Sequence, residues 1–362
     1  MASGALTVLQ VLPDLNSGGV ERGTLEVGKA LVEKGYRSLV MSAGGQLVGQ
    51  LESEGSEHFN WPIGIKSLKT FLLVTRLRRF FIDQKVDVVH VRSRLPAWIV
   101  YFAWKGMKAG VRPKLVTTVH GFYSVSWYSA IMTKGEVVIA VSNSIKEYIK
   151  KNYPNVNESR IRVIHRGIDR AAYPYGYQPS ATWIESWYRN FPQLEGKRLV
   201  TLPGRVTRLK GHEDFMKLLS MLISDGLPVM GVIAGGVDPK KQAYYEELIS
   251  LAEENGLSEY VVFTGHRSDL REVLAISDIV LSLTQQPESF GRTTIEALSM
   301  GKPVCGYSHG GVKEQLDMIL PEGAVNVGDI EAVYHVLKKW LHELPGVSGE
   351  HEFLLKNMLD ET

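Results

Sequence analysis

The sequence predicts an α/β protein with two doubly wound domains, and three observations support that fold class. The chain has 362 residues, a length typical of two domains. Short apolar runs rich in β-branched residues alternate with segments of helical period along most of the chain. The alternation stops once, in a stretch rich in Pro, Tyr and Trp, and then starts again. Because strands that alternate with helices form βαβ units, each series predicts a parallel sheet covered by helices.

Each series contains five apolar runs short enough to be strands. The predicted strands are 6–12, 36–41, 86–91, 114–119 and 137–141 in the first series, and 198–202, 229–234, 260–264, 279–283 and 303–306 in the second. Helical segments are predicted at 26–33, 211–225, 240–254 and 293–300. The predicted domains are residues 1–171 and 197–349, with a linker at 172–196 and a further helical segment at 350–362.

Composition excludes several other classes of protein. Hydrophobic residues make up 44% and charged residues 22% of the chain, which is typical of a globular protein and excludes wholesale disorder. No apolar run approaches the ~18 residues of a transmembrane helix, and the N-terminus lacks the pattern of a signal peptide. The single cysteine, Cys305, excludes an intramolecular disulfide and a Cys-rich metal site. Together these features predict a cytoplasmic protein.

Two motifs in the second domain predict a site for a phosphorylated ligand. Arg205 and Lys210 follow the first strand of that domain, and two long cations at this spacing can close on one diphosphate. Glu288 precedes Gly291, which opens a helix whose N–H groups suit a phosphate, and Glu296 lies just over one turn inside that helix. A carboxylate at Glu296 can hold a vicinal diol, and one at Glu288 can face a sugar ring. The alternatives are a solvated basic loop and a solvated helical face.

Glycines and histidines also follow the predicted strands of the first domain. Gly18 and Gly19 open a helix after the first strand, where they either bind an anion or form a plain strand-to-helix turn. His90 and His120 come at the ends of two other strands. Because the carboxyl ends of parallel strands meet at one edge of a sheet, we expect these residues to line one cleft. The glycines do not form the G-x-G-x-x-G fingerprint of a dehydrogenase, which argues against that class.

Five segments of the chain share a spacing that is specific to one family of enzymes. They are Gly18-Gly19, Thr118-Val-His120-Gly, Arg166-Gly-Ile-Asp169, Gly204-Arg205…Lys210-Gly211 and Glu288-x7-Glu296. Through them the whole chain resembles a bacterial family 4 glycosyltransferase with the GT-B fold. His90-Val-Arg-Ser-Arg, Leu202-Pro-Gly-Arg, Phe290-Gly-Arg-Thr and Gly306-Tyr-Ser-His-Gly-Gly are similar to the branch that acts on lipopolysaccharide core and other surface glycans. The resemblance implies two Rossmann-like domains facing each other across a cleft, with residues 350–362 crossing back to the N-terminal domain.

The resemblance implies a retaining, metal-independent hexosyltransferase that uses a nucleotide-diphosphate sugar, with UDP-sugars favoured, and that needs no cofactor. The acceptor hydroxyl attacks on the face that the leaving phosphate departs from, and this phosphate takes the proton. The implied catalytic residues are His120 and Glu288, both near the donor sugar, and Glu296 binds the ribose. The implied ligands of the donor diphosphate are Gly18, Gly19, Arg205, Lys210, Gly291, Arg292 and Thr293. The nucleotide base is implied to lie near Gly265, His266 and Arg267. The candidates on the acceptor side are His90, Arg92 and Arg94.

Two alternatives keep the fold but not the transfer reaction. They are a nucleotide-sugar epimerase and a protein that binds nucleotide sugars without turnover. The presence of His120, Arg205, Lys210 and Glu288 argues against a loss of activity. A turnover assay with the donor alone, and then with donor and acceptor, distinguishes the three functions.

The charge is unevenly distributed, although the net charge is only +2. Residues 61–115 hold twelve Lys and Arg and two acids, a charge of +10. This positive charge suits anionic lipid or nucleic acid as a partner, and since no nucleic-acid recognition motif is present, we expect no nucleic-acid partner.

Within residues 66–85, the apolar residues at 73, 77, 80 and 81 share one helical face. Either this stripe packs on the domain and the cations are solvated, or residues 66–114 contact the anionic inner face of the cytoplasmic membrane and receive a glycolipid acceptor there.

Overall fold

A computed structural model describes residues 5–16 and 18–362 of the chain. The described residues form two parallel sheets, one of seven strands and one of six, with helices connecting the strands. The chain divides into two compact units. The first ends at His165 and also includes Met358–Thr362, and the second is Arg166–Asn357.

The sheet of the first unit has the strand order β3-β2-β1-β4-β5-β6-β7, and all its neighbouring strands are parallel. Its direction of winding reverses between β1 and β4, which is where open α/β sheets bind ligands. The strands are β1 (Thr7–Val11), β2 (Arg37–Ser42), β3 (Glu57–Asn60), β4 (Val88–Val91), β5 (Lys114–Val119), β6 (Val137–Ala140) and β7 (Ile161–Val163). The helices are α1 (Gly19–Glu33), α2 (Val48–Ser53), α3 (Leu73–Asp83), α4 (Arg94–Lys105) and α5 (Asn143–Asn152).

The sheet of the second unit has the order β10-β9-β8-β11-β12-β13 and is also parallel throughout. Its winding reverses between β8 and β11. The strands are β8 (Arg198–Pro203), β9 (Val229–Ala234), β10 (Val261–Phe263), β11 (Ile279–Ser282), β12 (Val304–Tyr307) and β13 (Ala324–Val325). The helices are α6 (Ala181–Asn190), α7 (His212–Ser224), α8 (Gln242–Glu254), α9 (Leu270–Ile276), α10 (Arg292–Ser299), α11 (Gly310–Ile319) and α12 (Ile330–His342). The C-terminal helix α13 (Leu355–Glu361) begins in the second unit, and its residues from Met358 onward belong to the first.

The two predicted parallel sheets are confirmed, and so are the five strands predicted in each. The strands that the sequence analysis missed are β3, β7 and β13, with four, three and two residues. Each of them is an edge strand of its sheet, and β3 has no apolar face because all its residues except Phe59 are polar. Such short runs carry too little apolar periodicity to be recognised.

The Trp-rich stretch that interrupts the strand pattern lies in the second unit. Trp187 of α6 is buried with Leu199 and Met230 of the sheet, and Trp183 stacks on it with ring centroids 5.2 Å apart. Residues 172–196 therefore include a helix that covers this sheet. Near the C-terminus, Ile168 pairs with Leu354 in a parallel bridge.

The apolar stripe of α3 is buried. Leu73, Leu77, Phe80 and Phe81 all belong to the core of the first unit. The first of the two interpretations of this stripe, packing on the domain, is therefore confirmed for these side chains. In the described part of the chain, no helix has the length and apolar character needed to cross a membrane.

Candidate active site

The loops after β8 and β9 lie side by side at the carboxyl edge of the second sheet. The Gly204 N–H donates to the Ala234 carbonyl at 2.9 Å, and the Val206 N–H donates to the Gly236 carbonyl at 3.0 Å. A Cβ atom on Gly235 would lie 1.8 Å from the Gly204 oxygen, so only glycine permits this approach. The result is a fixed backbone from which the exposed Arg205 side chain projects.

Lys210 and Glu288 form an ion pair at this edge. Lys210 ends a short 3₁₀ turn, and Gly211 follows it with φ of 74°, where a Cβ would lie 2.1 Å from the Leu283 carbonyl oxygen. The Lys210 side chain also runs over Gly204, with its Cε 3.3 Å from the Cβ position of that glycine. The structure therefore brings the predicted cationic loop and the predicted first carboxylate together.

The segment from Glu288 to Gly291 is held by the start of α11. The Gly311 N–H donates to the Glu288 carbonyl at 2.7 Å, and the Gln315 side-chain amide donates to the Phe290 carbonyl at 2.6 Å. A Cβ on Gly310 would lie 2.3 Å from the Glu288 oxygen. These contacts fix the backbone that carries the Glu288 carboxylate.

The predicted glycine start of the next helix is confirmed. Gly291 is the N-cap residue of α10 with φ of 83°, and Arg292 and Thr293 are its first residues. Glu296 is 5% exposed, and its Oε1 accepts a hydrogen bond from Arg292 Nε at 2.8 Å. Arg292, which the resemblance assigns to the diphosphate, therefore orients the predicted ribose ligand in this structure.

His309 lies beside this site and was not predicted from the sequence. Its Nε2–H donates to the Thr284 carbonyl at 2.8 Å, because a carbonyl oxygen can only accept. Burial lowers the pKa of His309, although the bond to Thr284 and the nearby Glu288 carboxylate both oppose that shift. The imidazole is therefore neutral near pH 7, with its lone pair on Nδ1.

The three residues predicted near the base follow β10. Gly265 has φ of 69°, and His266 is exposed, with its Cβ 3.1 Å from the Cβ position of Gly236. Arg267 instead forms a two-bond ion pair with Asp269, at 2.8 and 2.5 Å. Burial raises the pKa of Asp269, but hydrogen bonds from Arg267 and Trp183 outweigh it and hold that pKa below its usual value. Arg267 is thus held in a structural pair.

The acceptor-side candidates of the first unit differ in their exposure. His90 is 4% exposed, and its Nε2 lies 2.6 Å from the Thr118 hydroxyl, so it is a buried residue of β4. Arg92 is buried as well. Arg94 is partly exposed, and its guanidinium packs over the rings of Tyr123 and Tyr128 at 4.9 and 5.5 Å. Burial therefore removes His90 and Arg92 from the surface on which an acceptor could bind, whereas Arg94 stays accessible.

His120 and the glycine pair lie at the carboxyl ends of two strands of the first sheet. His120 directly follows β5, and its backbone N–H donates to the Tyr123 hydroxyl at 3.2 Å. Gly18 is the N-cap residue of α1, and Gly19 is its first residue. Both glycines are exposed, so the first N–H groups of α1 are accessible to an anion.

The comparisons with known proteins decide the family. Residues 17–172 match the sequence profile of Glycosyltransferase Family 4, and residues 185–345 match that of Glycosyl transferases group 1. The chain belongs to the family 4 glycosyltransferases. A solved glycosyltransferase from Rickettsia africae is 29% identical to this glycosyltransferase, with 99% of this chain and 97% of that chain covered and a TM-score of 0.87.

Two further proteins are similar to this chain, one in structure and one in sequence. The complex of Anabaena HepE with UDP-glucose is 18% identical, covers 98% of both chains and has a TM-score of 0.79, a likeness that shows the fold alone. N-acetyl-α-D-glucosaminyl L-malate synthase of Bacillus anthracis is 23% identical over 83% of this chain and 78% of its own length. The GT-B fold predicted for this glycosyltransferase is confirmed.

Sequence analysis missed the residues that act through tertiary contacts. Gly310, Gly311 and Gln315 hold the Glu288 loop, but they lie more than twenty positions after it. A signal was present, because Gly310-Gly311 follows a strand and opens a helix as Gly18-Gly19 does. Within residues 5–16 and 18–362, no three His, Cys, Asp or Glu side chains come together as a group that could hold a metal ion.

Proposed function

We propose that this glycosyltransferase moves a sugar from a nucleotide-diphosphate sugar to a hydroxyl of lipopolysaccharide core or another surface glycan, with retention at the anomeric carbon. The observation that carries the proposal is the Lys210–Glu288 pair beside Arg205, with the α10 N-terminus and buried Glu296 on the same edge. A UDP-sugar is the favoured donor, since HepE shares the fold and was solved with UDP-glucose.

Donor binding begins at the ion pair. Lys210 exchanges the Glu288 carboxylate for the donor diphosphate, and Arg205 adds the second cation. The exchange is favourable because two phosphate groups carry more charge than one carboxylate, and each charge-assisted hydrogen bond contributes about 1.5–3 kcal/mol. Glu288 is released at the same step and can then accept hydrogen bonds from hydroxyls of the donor sugar.

Glu296 is suited to the ribose because its carboxylate is oriented before the donor arrives. Arg292 Nε occupies one side of Oε1, and α10 holds the backbone of both residues. Oε2 and the remaining lone pair of Oε1 can accept from two neighbouring hydroxyls. Burial strengthens these bonds, since water competes less for the carboxylate.

The transfer itself breaks the bond between the anomeric carbon and the leaving phosphate oxygen. The acceptor oxygen attacks on the same face, and its proton passes to the phosphate oxygen that departs, so the configuration is retained. Lys210 and Arg205 stabilise the negative charge that develops on the diphosphate, a task that a metal ion performs in other enzymes. His120 remains the catalytic candidate of the first unit.

The test combines donor binding with turnover. Thermal shift with UDP, GDP and ADP sugars identifies the donor, because a ligand at 100 times its Kd stabilises by about 2.7 kcal/mol. Arg205→Ala and Lys210→Ala should each lower kcat/KM about 10- to 100-fold. Lys217→Ala is the matched control, since Lys217 is an exposed lysine on α7.

Three outcomes would contradict this proposal. Unchanged kinetics in both cation variants would exclude the diphosphate site. Conversion of the donor into an isomeric nucleotide sugar would identify an epimerase. Donor binding without transfer to lipopolysaccharide core or to any other glycan would identify a binding protein.

A further inference from the structure

The imidazole of His309 is held at the carboxyl edge of the second sheet by the loop that follows β11. His309 is the N-cap residue of α11, and its Nε2–H donates to the Thr284 carbonyl at 2.8 Å. That loop is itself bound to the cationic loop, because the Gln285 N–H donates to the Leu209 carbonyl at 2.8 Å, directly before Lys210. The ring is therefore fixed relative to the backbone that carries Lys210.

The second ring nitrogen of His309, Nδ1, has a lone pair that the protein does not use. The side chain of an N-cap residue commonly accepts from the N–H groups of the first helical turn, but His309 makes no such bond. The Gly311 N–H of that turn donates instead to the Glu288 carbonyl at 2.7 Å. No other group in residues 5–16 and 18–362 donates to Nδ1, and His309 is only half-buried. The lone pair is therefore available to a ligand.

The Glu288 carboxylate is the second acceptor in this part of the edge. A Cβ on Gly310, next to His309, would lie 2.3 Å from the Glu288 carbonyl oxygen and 2.8 Å from its nitrogen, so the start of α11 packs on the Glu288 backbone. The carboxylate pairs with Lys210, and its negative charge acts on the His309 ring. A carboxylate and an imidazole nitrogen, both able only to accept, are thus close neighbours.

Two neighbouring acceptors select the kind of group that can bind between them. The oxygens of an ionised diphosphate also only accept, so Nδ1 of His309 cannot bind the diphosphate by a hydrogen bond. A sugar hydroxyl can donate to a carboxylate or to an imidazole nitrogen. In the proposed function, Lys210 leaves Glu288 for the diphosphate, and the two acceptors then face the sugar that is attached to it.

We propose that His309 determines which donor sugar is used, because its Nδ1 accepts a hydrogen bond from one hydroxyl of that sugar beside Glu288. The inference rests on the proposed function and adds a requirement for a free hydroxyl at one position of the transferred sugar. The Thr284 carbonyl fixes both the ring orientation and the tautomer before the donor arrives, since the proton must stay on Nε2. A sugar without that hydroxyl leaves Nδ1 without a partner and binds more weakly.

The experiment measures how much the sugar contributes to donor binding. The probe is the nucleotide sugar with the largest thermal shift among UDP-glucose, UDP-galactose, GDP-mannose and ADP-glucose. Isothermal titration gives its Kd and that of its nucleoside diphosphate, and the ratio of the two isolates the sugar. His309→Gln can keep the bond to Thr284 but lacks an acceptor at the place of Nδ1, so it should lower the ratio roughly tenfold. The Kd of the nucleoside diphosphate should stay unchanged.

His309→Asn is the opposite variant, because its side-chain oxygen can replace Nδ1 while the bond to Thr284 is lost. It should keep most of the ratio. His342→Gln is the matched control, since His342 is an exposed histidine at the end of α12. Analogues with one sugar hydroxyl at a time replaced by fluorine identify the position: one of them should bind the intact protein roughly tenfold more weakly than its parent, and His309→Gln should bind both equally.

Two outcomes would overturn the inference while the proposed function stands. The first is an equal ratio in the intact protein and His309→Gln. The second is a ratio that falls in His309→Asn but not in His309→Gln, which would mean that His309 only holds the Thr284 loop. Sugar binding that depends on His309, without transfer to any glycan, would instead exclude the transferase and leave this ligand assigned. A protein that binds none of the four nucleotide sugars would overturn both.

Discussion

The loop after His120 in the first unit and the loops at the carboxyl edge of the second sheet are held in different ways. In the second unit, glycine lets backbone meet backbone, as at Gly235 with Gly204 and Gly310 with Glu288. In the first unit, side chains hold the loop after His120, through the Tyr123 hydroxyl and the stacked Arg94 guanidinium. Backbone contacts leave the loops of the second unit little freedom, whereas side-chain contacts let the loop after His120 move more easily; the proposed function places the diphosphate at the first kind of loop and the acceptor near the second.

The largest expected effect comes from breaking a backbone contact of the second unit. Gly235→Ala places a Cβ where it would lie 1.8 Å from the Gly204 carbonyl oxygen, so the loop of Arg205 must move. We expect a loss of about 3 kcal/mol in the free energy of unfolding, measured by urea denaturation, and a weaker thermal shift with UDP. Gly346→Ala is the control, because nothing lies within 4 Å of its Cβ position. Equal stability of the two variants would show that the loops are not in contact.

Much of the carboxyl edge of the second sheet was predictable, because strand ends and glycines can be recognised from a few neighbouring residues in the sequence. Spacing alone predicted that Arg205 and Lys210 follow a strand end and that Glu288 and Glu296 flank the glycine start of a helix, and the structure places them there; their roles stay predictions. The hydrogen bond of His309 was not predictable, since its acceptor is the Thr284 carbonyl on another loop.

Burial was the second property that spacing could not supply. His90 and Arg92 occupy strand-end positions like that of His120, yet they are buried, while His120 is partly exposed. The alternation of side chains along a strand shows which face a residue occupies. The elements that cover this face are distant in sequence, so burial cannot be derived from alternation. The Arg267–Asp269 and Arg292–Glu296 pairs differ from this case, because their members lie only two and four positions apart and local spacing could have indicated them.

The next prediction distinguishes the roles of Glu288 and Glu296, the two carboxylates at the carboxyl edge of the second sheet. Glu296→Gln should raise the Kd of the donor about tenfold, because it weakens the hydrogen bonds to the ribose while keeping the side chain's shape. Glu288→Gln should mainly lower kcat, since this carboxylate is proposed to contact the donor sugar. Isothermal titration with UDP and steady-state kinetics separate the two effects. The opposite pattern would mean that the two roles are exchanged.

A smaller effect concerns the C-terminal end of α10. His351 Nε2 lies 2.7 Å from the Ser299 hydroxyl, and burial, helped by the nearby Arg170 cation, lowers the pKa of His351 from 6.5 to about 4. The unfolded chain therefore takes up a proton between these values that the folded chain does not. The free energy of unfolding should fall by about 1–2 kcal/mol as the pH drops from about 6.5 to about 4.

His351→Asn should remove this part of the pH dependence, measured by urea denaturation across that range. His335→Asn is the control, because His335 is an exposed histidine of α12. If His351→Asn and the intact protein lose stability in parallel on acidification, the pKa of His351 is not lowered by folding.

The smallest expected effect is that of a metal chelator on turnover. In the proposed site, Arg205 and Lys210 would supply two positive charges to the diphosphate and the first N–H groups of α10 a partial positive charge, which would replace the charge of a divalent cation. EDTA should leave kcat/KM nearly unchanged. Lys210→Ala sharpens the test: if a metal ion could replace the lysine, magnesium or manganese would restore that variant, and we expect no restoration. The intact protein would contradict this prediction if it lost activity in EDTA and regained it with magnesium or manganese. In that case Arg205 and Lys210 would not suffice to stabilise the leaving diphosphate.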